Sequence, residues 1–163
     1  EMCIRDSASA SANKDLPEGA YAKAGGPIPS DALEATVVRR YKESYMHDRA
    51  VFQSPSGNIK CAVDASFAGC GIPSYRDTKP YGYSKTAGAN WWVDFKNWKL
   101  MPRDDVPPYA PDDGGSEIED VPYGKTIYFG DHVCHSEYNG MTCWNAKTGK
   151  GAFMSISKTE FFG

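Results

Sequence analysis

The sequence predicts a mainly β protein: a small antiparallel barrel or sandwich with two disulfide-stapled hairpins and one N-terminal amphipathic helix. Three observations carry this expectation. A pattern is written twice, as Gly57-Asn58-x-x-Cys61-x8-Cys70 and as Gly130-Asp131-x-x-Cys134-x8-Cys143. Aromatic residues make up 13% of the chain and are punctuated by 16 glycines and 11 prolines, a composition that favours short strands and many turns. From residue 50 onward the apolar residues recur with a period of two.

A chain of 163 residues is one domain's worth, and 40% hydrophobic content is enough for a core. The net charge of −3 and pI near 5.6 argue against nucleic acid and against anionic membranes as partners. No apolar run approaches the ~18 residues needed to span a bilayer. Four cysteines in two equally spaced pairs, each behind a turn signal, point to an oxidising compartment and an extracytoplasmic location, secreted or lipid-anchored.

Residues 1–7 (Glu-Met-Cys-Ile-Arg-Asp-Ser) are expected to be a sequencing or assembly artefact, with the signal peptide missing from this chain. Cys3 is then excluded from the pairing; a lipobox would need an apolar stretch before it. Residues 8–30 are small, polar and rich in Gly and Pro, which predicts a flexible linker. Asp31 with Glu34 reads as a capping box, and Leu33, Val37, Val38, Tyr41 and Tyr45 follow near the helical period. That spacing predicts a helix over 31–47 packed on the β domain of 50–163. Strands are expected at 51–53, 59–63, 70–72, 91–96, 126–129, 133–136, 141–144 and 152–157, with turns at 54–57, 139–140 and 148–151. Residues 102–120 hold four prolines and seven acidic residues, a long solvated loop.

Turn geometry discriminates among the cysteine pairings. A two-residue turn at Asn139-Gly140 sets Cys143 opposite Ser136, leaving Cys134 on a diagonal of ~7–8 Å. A four-residue loop, Glu137–Gly140, sets Cys134 opposite Cys143, and the same length at Asp64–Phe67 sets Cys61 opposite Cys70. One loop length serves both hairpins, which favours Cys61–Cys70 and Cys134–Cys143. The repeat also suggests two similar halves packed together.

The run Phe52-x-Ser54-Pro55-Ser56-Gly57-Asn58-Ile59-x-Cys61 resembles the opening of a family of secreted or lipid-anchored actinobacterial domains of unknown function. Val121-Pro122-Tyr123-Gly124, Cys134-x-Ser136, Gly140-Met141-Thr142-Cys143 and Thr148-Gly149-x-Gly151-x-Phe153 are similar to its closing half. Family members carry further cysteines near the tryptophan segment, where this chain has Trp91-Trp92-Val93-Asp94 and none. The resemblance implies an envelope location and fold type, and no catalytic residue.

Chemistry-bearing motifs are weak. His132, Cys134 and His135 could be read as metal ligands, but on a strand His132 and Cys134 face one way and His135 the other, so no metal site is expected. With Cys3 set aside the cysteine count is even, leaving no thiol for a Cys–His nucleophile. There is no Gly-x-Ser-x-Gly or Ser-x-x-Lys, and Lys147–Gly151 lacks phosphate-loop spacing and reads as a turn. The Asp pairs at 104–105 and 112–113 lack the alternation of a calcium loop. No enzyme and no cofactor are expected.

The aromatic segment is the better candidate. Tyr81, Tyr83, Trp91, Trp92, Phe95 and Trp98 fall close together; on a strand Trp91, Val93 and Phe95 share one face, and Trp92, Asp94, Lys96 and Trp98 share the other. Trp92 and Trp98, with Tyr81 and Tyr83, are the expected ligand contacts of a non-enzymatic envelope module binding a glycan or a protein. The rival expectation is a small secreted inhibitor of a host hydrolase such as lysozyme or a protease, since rigid stapled loops lose little entropy on binding.

Overall fold

The computed structural model describes residues 15–40, 47–103 and 117–163. In chain order the first part contains β1 (Leu33–Glu34), β2 (Val38–Arg39), β3 (Arg49–Gln53), β4 (Lys60–Val63), β5 (Ala68–Gly71), a five-residue helix α1 (Ser74–Thr78), β6 (Tyr83–Ser84), β7 (Gly88–Ala89), β8 (Trp92–Asp94) and β9 (Lys99–Met101). The second part contains β10 (Glu119–Asp120), β11 (Thr126–Phe129), β12 (His132–Glu137), β13 (Gly140–Asn145), β14 (Gly151–Met154) and β15 (Thr159–Phe162).

The doubled cysteine motif is the visible trace of a doubled topology. One sheet is the antiparallel meander β3-β4-β5-β8-β9 and the other is the antiparallel meander β11-β12-β13-β14-β15. Each receives a two-residue parallel strand on the edge of its first member, and these are exchanged. β1, which precedes the first meander, pairs with β11 of the second (Leu33 opposite Ile127). β10, which precedes the second meander, pairs with β3 of the first (Glu119 opposite Phe52). Both sheets are open, so among the described residues the architecture is a sandwich rather than a closed barrel.

The inner faces meet in one core. Phe52, Cys61, Val63, Cys70 and Val93 of the first sheet pack with Ile127, Cys134, Met141, Cys143, Ala152 and Met154 of the second, all nearly or fully buried. Strand alternation sends the intervening residues to the outer faces, and these are also covered. Val51, Ala62 and Trp92 lie under Val37, Phe67, Met101 and Ile118. Val133, Trp144 and Phe162 lie under Ala24, Leu16, Tyr21 and Ile28. Burial on both faces explains why β5 and β14 are buried at every position.

Both expected disulfides are present, with cysteines directly opposite in the ladder and Cα atoms 4.0 and 4.1 Å apart. The first hairpin has the expected four-residue loop, 64–67, between Val63 and Ala68, whereas the second is tighter: Glu137 pairs with Gly140, leaving Tyr138-Asn139 as the turn. Gly140 adopts φ +152°, and a Cβ there would lie 2.3 Å from the carbonyl oxygen of Met154. In the other hairpin Asp64 Oδ1 accepts hydrogen bonds from the amides of Ser66 and Phe67, and the Asp64 amide donates to Phe67 O.

Two expectations are corrected. No N-terminal helix forms over the described part of 31–47; residues 41–46 lie outside the described residues. Residues 33–39 run extended because each sheet offers an unpaired edge, and two adjacent valines suit a strand better than a helix. The amide of Ala35 donates to Tyr128 O, and Val37 O accepts from Val51 N. Glu119 Oε1 then takes the amides of Thr36 and Val37, which a helix would have satisfied internally. Leu33, the expected first core position of that helix, is 66% exposed.

The flexible linker over 8–30 is corrected for residues 15–30, which form a turn-rich strap on the outer face of the second sheet. Ala24 is buried, Trp144 Nε1 donates to Gly26 O at 2.8 Å, and the Tyr21 amide donates to Thr142 Oγ1 at 3.0 Å. Low-complexity composition is overridden by four apolar side chains, Leu16, Tyr21, Ala24 and Ile28, that find a large aromatic surface. The long acidic stretch, 102–120, is described only at its ends, where Glu119–Asp120 form β10.

The helix α1 went unexpected. It ends at Lys79, whose φ of +51° is an ordinary left-handed cap. Its Tyr75 is fully buried, donates to Ser155 O at 2.8 Å, and has its hydroxyl pKa pushed up to about 12, chiefly by that burial.

Candidate functional site

Two adjoining recesses, of about 500 and 570 Å³, open at one end of the sandwich and share Asp64, Ala65, His132 and Asn145. They form a cleft between the β4–β5 turn of one sheet and the β11–β12 and β13–β14 turns of the other. The doubled topology therefore sets the second and fourth turns of the first meander against the first and third turns of the second at this cleft.

Its aromatic wall is a three-ring stack. Phe95 lies between Trp98, with ring centroids 4.7 Å apart and planes 17° from parallel, and His132, at 5.7 Å and 26°. The β8–β9 turn creates this arrangement. Asp94 pairs with Lys99, and Asp94 Oδ2 accepts the amide of Asn97 at 2.8 Å, closing a four-residue loop. The last loop residue, Trp98, sits at φ +51°. Strict alternation would have placed Trp98 on the outer face with Trp92; the left-handed residue rotates it onto Phe95 instead. A bulky residue in this region costs about 1–2 kcal/mol relative to glycine. Lys79 and Trp98 are the two non-glycine residues with positive φ among those described, and Trp98 alone of them caps no helix.

The polar wall is uneven in charge. Asp64 is neutralised within the fold: Oδ2 accepts from Arg49 Nε at 2.9 Å, and Oδ1 is taken up by the turn. Asp131 lies 4.0 Å from Lys147 Nζ. Lys96 and Lys150 line the cleft and are exposed, and neither ammonium meets a carboxylate among the described residues. Burial lowers the pKa of His132 against the pull of Asp131, so the ring is neutral at pH 7 and can both donate and accept.

The sequence-expected contacts are dispersed. Trp98 lines the cleft. Trp92 is fully buried on the outer face of the first sheet, stacked on Phe67 at 5.6 Å, so it cannot meet a ligand. The Tyr81 hydroxyl accepts the amide of Thr159 and donates to Thr159 O, a structural tie between the β6 region and β15. Tyr83 is 58% exposed but belongs to the separate β6–β7 hairpin, beside Lys79. Phe95, assigned by alternation to the inner face alone, in fact carries the cleft's stack. The sequence offers His132 only as a rejected metal ligand and Lys150 only within a rejected phosphate loop, and it marks neither them nor Lys96 and Asn145 as contacts of one cleft, because their convergence depends on the packing of two sheets.

The sulfurs of Cys61, Cys70, Cys134 and Cys143 all lie within 4.8 Å of one another, each engaged in its disulfide. His135, on the opposite face of β12 from Cys134, is stacked under Tyr21 at 3.6 Å and bonds Thr126 Oγ1 through Nδ1 at 2.7 Å. No helix of the described residues is long and apolar enough to cross a membrane. No protein-family model, curated protein or solved structure matches the chain.

Proposed function

We propose that this chain is a non-enzymatic extracytoplasmic module that binds a glycan of the cell envelope in the cleft walled by Trp98, Phe95 and His132. The observation that carries this reading is the strained backbone of Trp98. A glycine would relax the turn, yet the position holds the largest side chain, stacked and facing a cleft. An aromatic ring beside hydrogen-bonding groups on an open, shallow surface suits sugar rings, which offer an apolar C–H face and a hydroxyl rim. The disulfides fit an oxidising compartment, and the similarity of Ser54–Cys61 and Gly140–Cys143 to secreted or lipid-anchored actinobacterial domains supports an envelope location. Tryptophan fluorescence titrated with soluble cell-wall oligosaccharides tests the proposal. Saturable quenching that Trp98→Gly abolishes is expected; quenching unchanged in that variant overturns it.

One observation favours a second reading, inhibition of a hydrolase. Tyr138 is 89% exposed at the tip of the Cys134–Cys143 hairpin, with Tyr123 edge-on at 5.7 Å. A rigid, protruding aromatic turn suits insertion into an enzyme cleft. Lysozyme and protease assays with the added protein at micromolar concentration decide it: no slowing removes this reading.

A further inference from the structure

We infer that the glycan taken by this cleft is anionic, its carboxylate or phosphate held between Lys96 and Lys150 while the sugar ring meets Trp98. The inference rests on the glycan reading above and adds the charge of the ligand. It follows from the balance of charges at the cleft. Of the groups lining the recess that holds Trp98, Asp64 is paired with Arg49 and closed in by its own turn, and His132 is neutral at pH 7. The two remaining ionised side chains there are Lys96 and Lys150, which have no ion pair among the described residues. Lys158 pairs with Glu160 at 3.4 Å and Lys147 with Asp131; what sets Lys96 and Lys150 apart is that both line one aromatic recess, from different sheets.

The placement has a topological cause. Lys96 belongs to the β8–β9 loop of one sheet and Lys150 precedes β14 in the other, so neither meander alone assembles the pair. The chain is acidic overall, with a net charge of −3, and Glu34, Asp48 and Asp131 line the adjoining recess, so the cationic character is confined to the recess that holds Trp98. A neutral glycan would leave both unanswered; an anionic sugar answers them, and the open geometry lets the anion keep much of its hydration.

The test compares sugars matched except at the anionic group. The probes are N-acetylglucosaminyl-N-acetylmuramic acid with its lactyl carboxylate free, the same disaccharide as its methyl ester, and N-acetylglucosamine with and without a 6-phosphate. The free acid is expected to bind about tenfold tighter than the ester, and the margin is expected to shrink as NaCl rises from 50 to 500 mM. Lys96→Gln/Lys150→Gln is expected to erase the margin between acid and ester, with the melting temperature unchanged because both side chains are exposed. If the phosphate confers the preference and the carboxylate does not, the anion is assigned as phosphate. Equal affinity for acid and ester, and for both forms of the monosaccharide, overturns the inference while leaving the glycan reading intact. Failure of every probe to bind, charged or neutral, overturns both.

Discussion

The Sγ of Cys70 and the Sγ of Cys143 lie 4.0 Å apart at the centre of the core, in van der Waals contact across the two sheets. The residues are equivalent positions of the repeated motif, so the crosslink of each meander packs on that of the other. Each disulfide closes a ten-residue ring, worth about 2–3 kcal/mol by loop entropy. Replacing one pair, as Cys61→Ala/Cys70→Ala, is expected to cost about that much. Removing both pairs is expected to depart from additivity by at least about 0.5 kcal/mol, because the second replacement enlarges the cavity left by the first. Chemical denaturation of the three variants measures this coupling.

Trp98→Gly separates stability from binding. It relieves a left-handed backbone and loses a stack on Phe95, effects of about 1–2 and 0.5–1.5 kcal/mol and of opposite sign. Stability is therefore expected to change by less than about 1.5 kcal/mol while ligand quenching disappears. A large destabilisation in urea unfolding would show that the tryptophan serves the core.

Trp92→Ala is expected to do the reverse. The side chain is fully buried against Val51, Ala62 and Phe67, so truncation is expected to cost about 3–5 kcal/mol and to leave ligand affinity unaltered. Gly69→Ala tests the same packing from the other side. A Cβ there would stand 2.6 Å from the Trp92 indole, a clash expected to cost about 1–3 kcal/mol.

Stability is expected to fall as pH drops through about 6.5. Burial lowers the pKa of His135, against the pull of Glu137 and Asp31 and with a smaller push from Lys23; burial lowers that of His132 too, against Asp131. Below the unfolded histidine value the unfolded chain binds more protons than the native one, so the stabilisation present at neutral pH is lost progressively toward the folded values. Thermal melts from pH 8 to 5 should show the decline. His135→Gln should flatten it, because Tyr21 and Thr126 then enclose a group that does not titrate.

Particular residues show how far the sequence reached. The cysteine register was legible because a disulfide needs directly opposed positions, and alternation separated His132 from His135 correctly for the same local reason. The strand course of residues 33–39 was not legible. Asp31, Glu34 and the apolar spacing are satisfied by a helix, and the deciding partners, Ile127 and Glu119, lie more than eighty residues away. The strap over 15–30 has no periodicity to read; Trp144 and His135 hold it. Trp98 is an expected contact, yet its place beside Phe95 comes from a positive φ that breaks the strand alternation.

The exchange of β1 and β10 between the meanders has a consequence for how such a chain can arise. When each half lends its leading strand to the other, two separate half-length copies would close in the same way around a two-fold axis, each arm embracing its twin. Fusing those copies frees them from having to stay identical, so one end of the sandwich can specialise while the other need not follow. The cleft draws Trp98 from the first half and His132 from the second, a heterogeneous pairing that a symmetric ancestor would have made twice and a single continuous chain needs to make once.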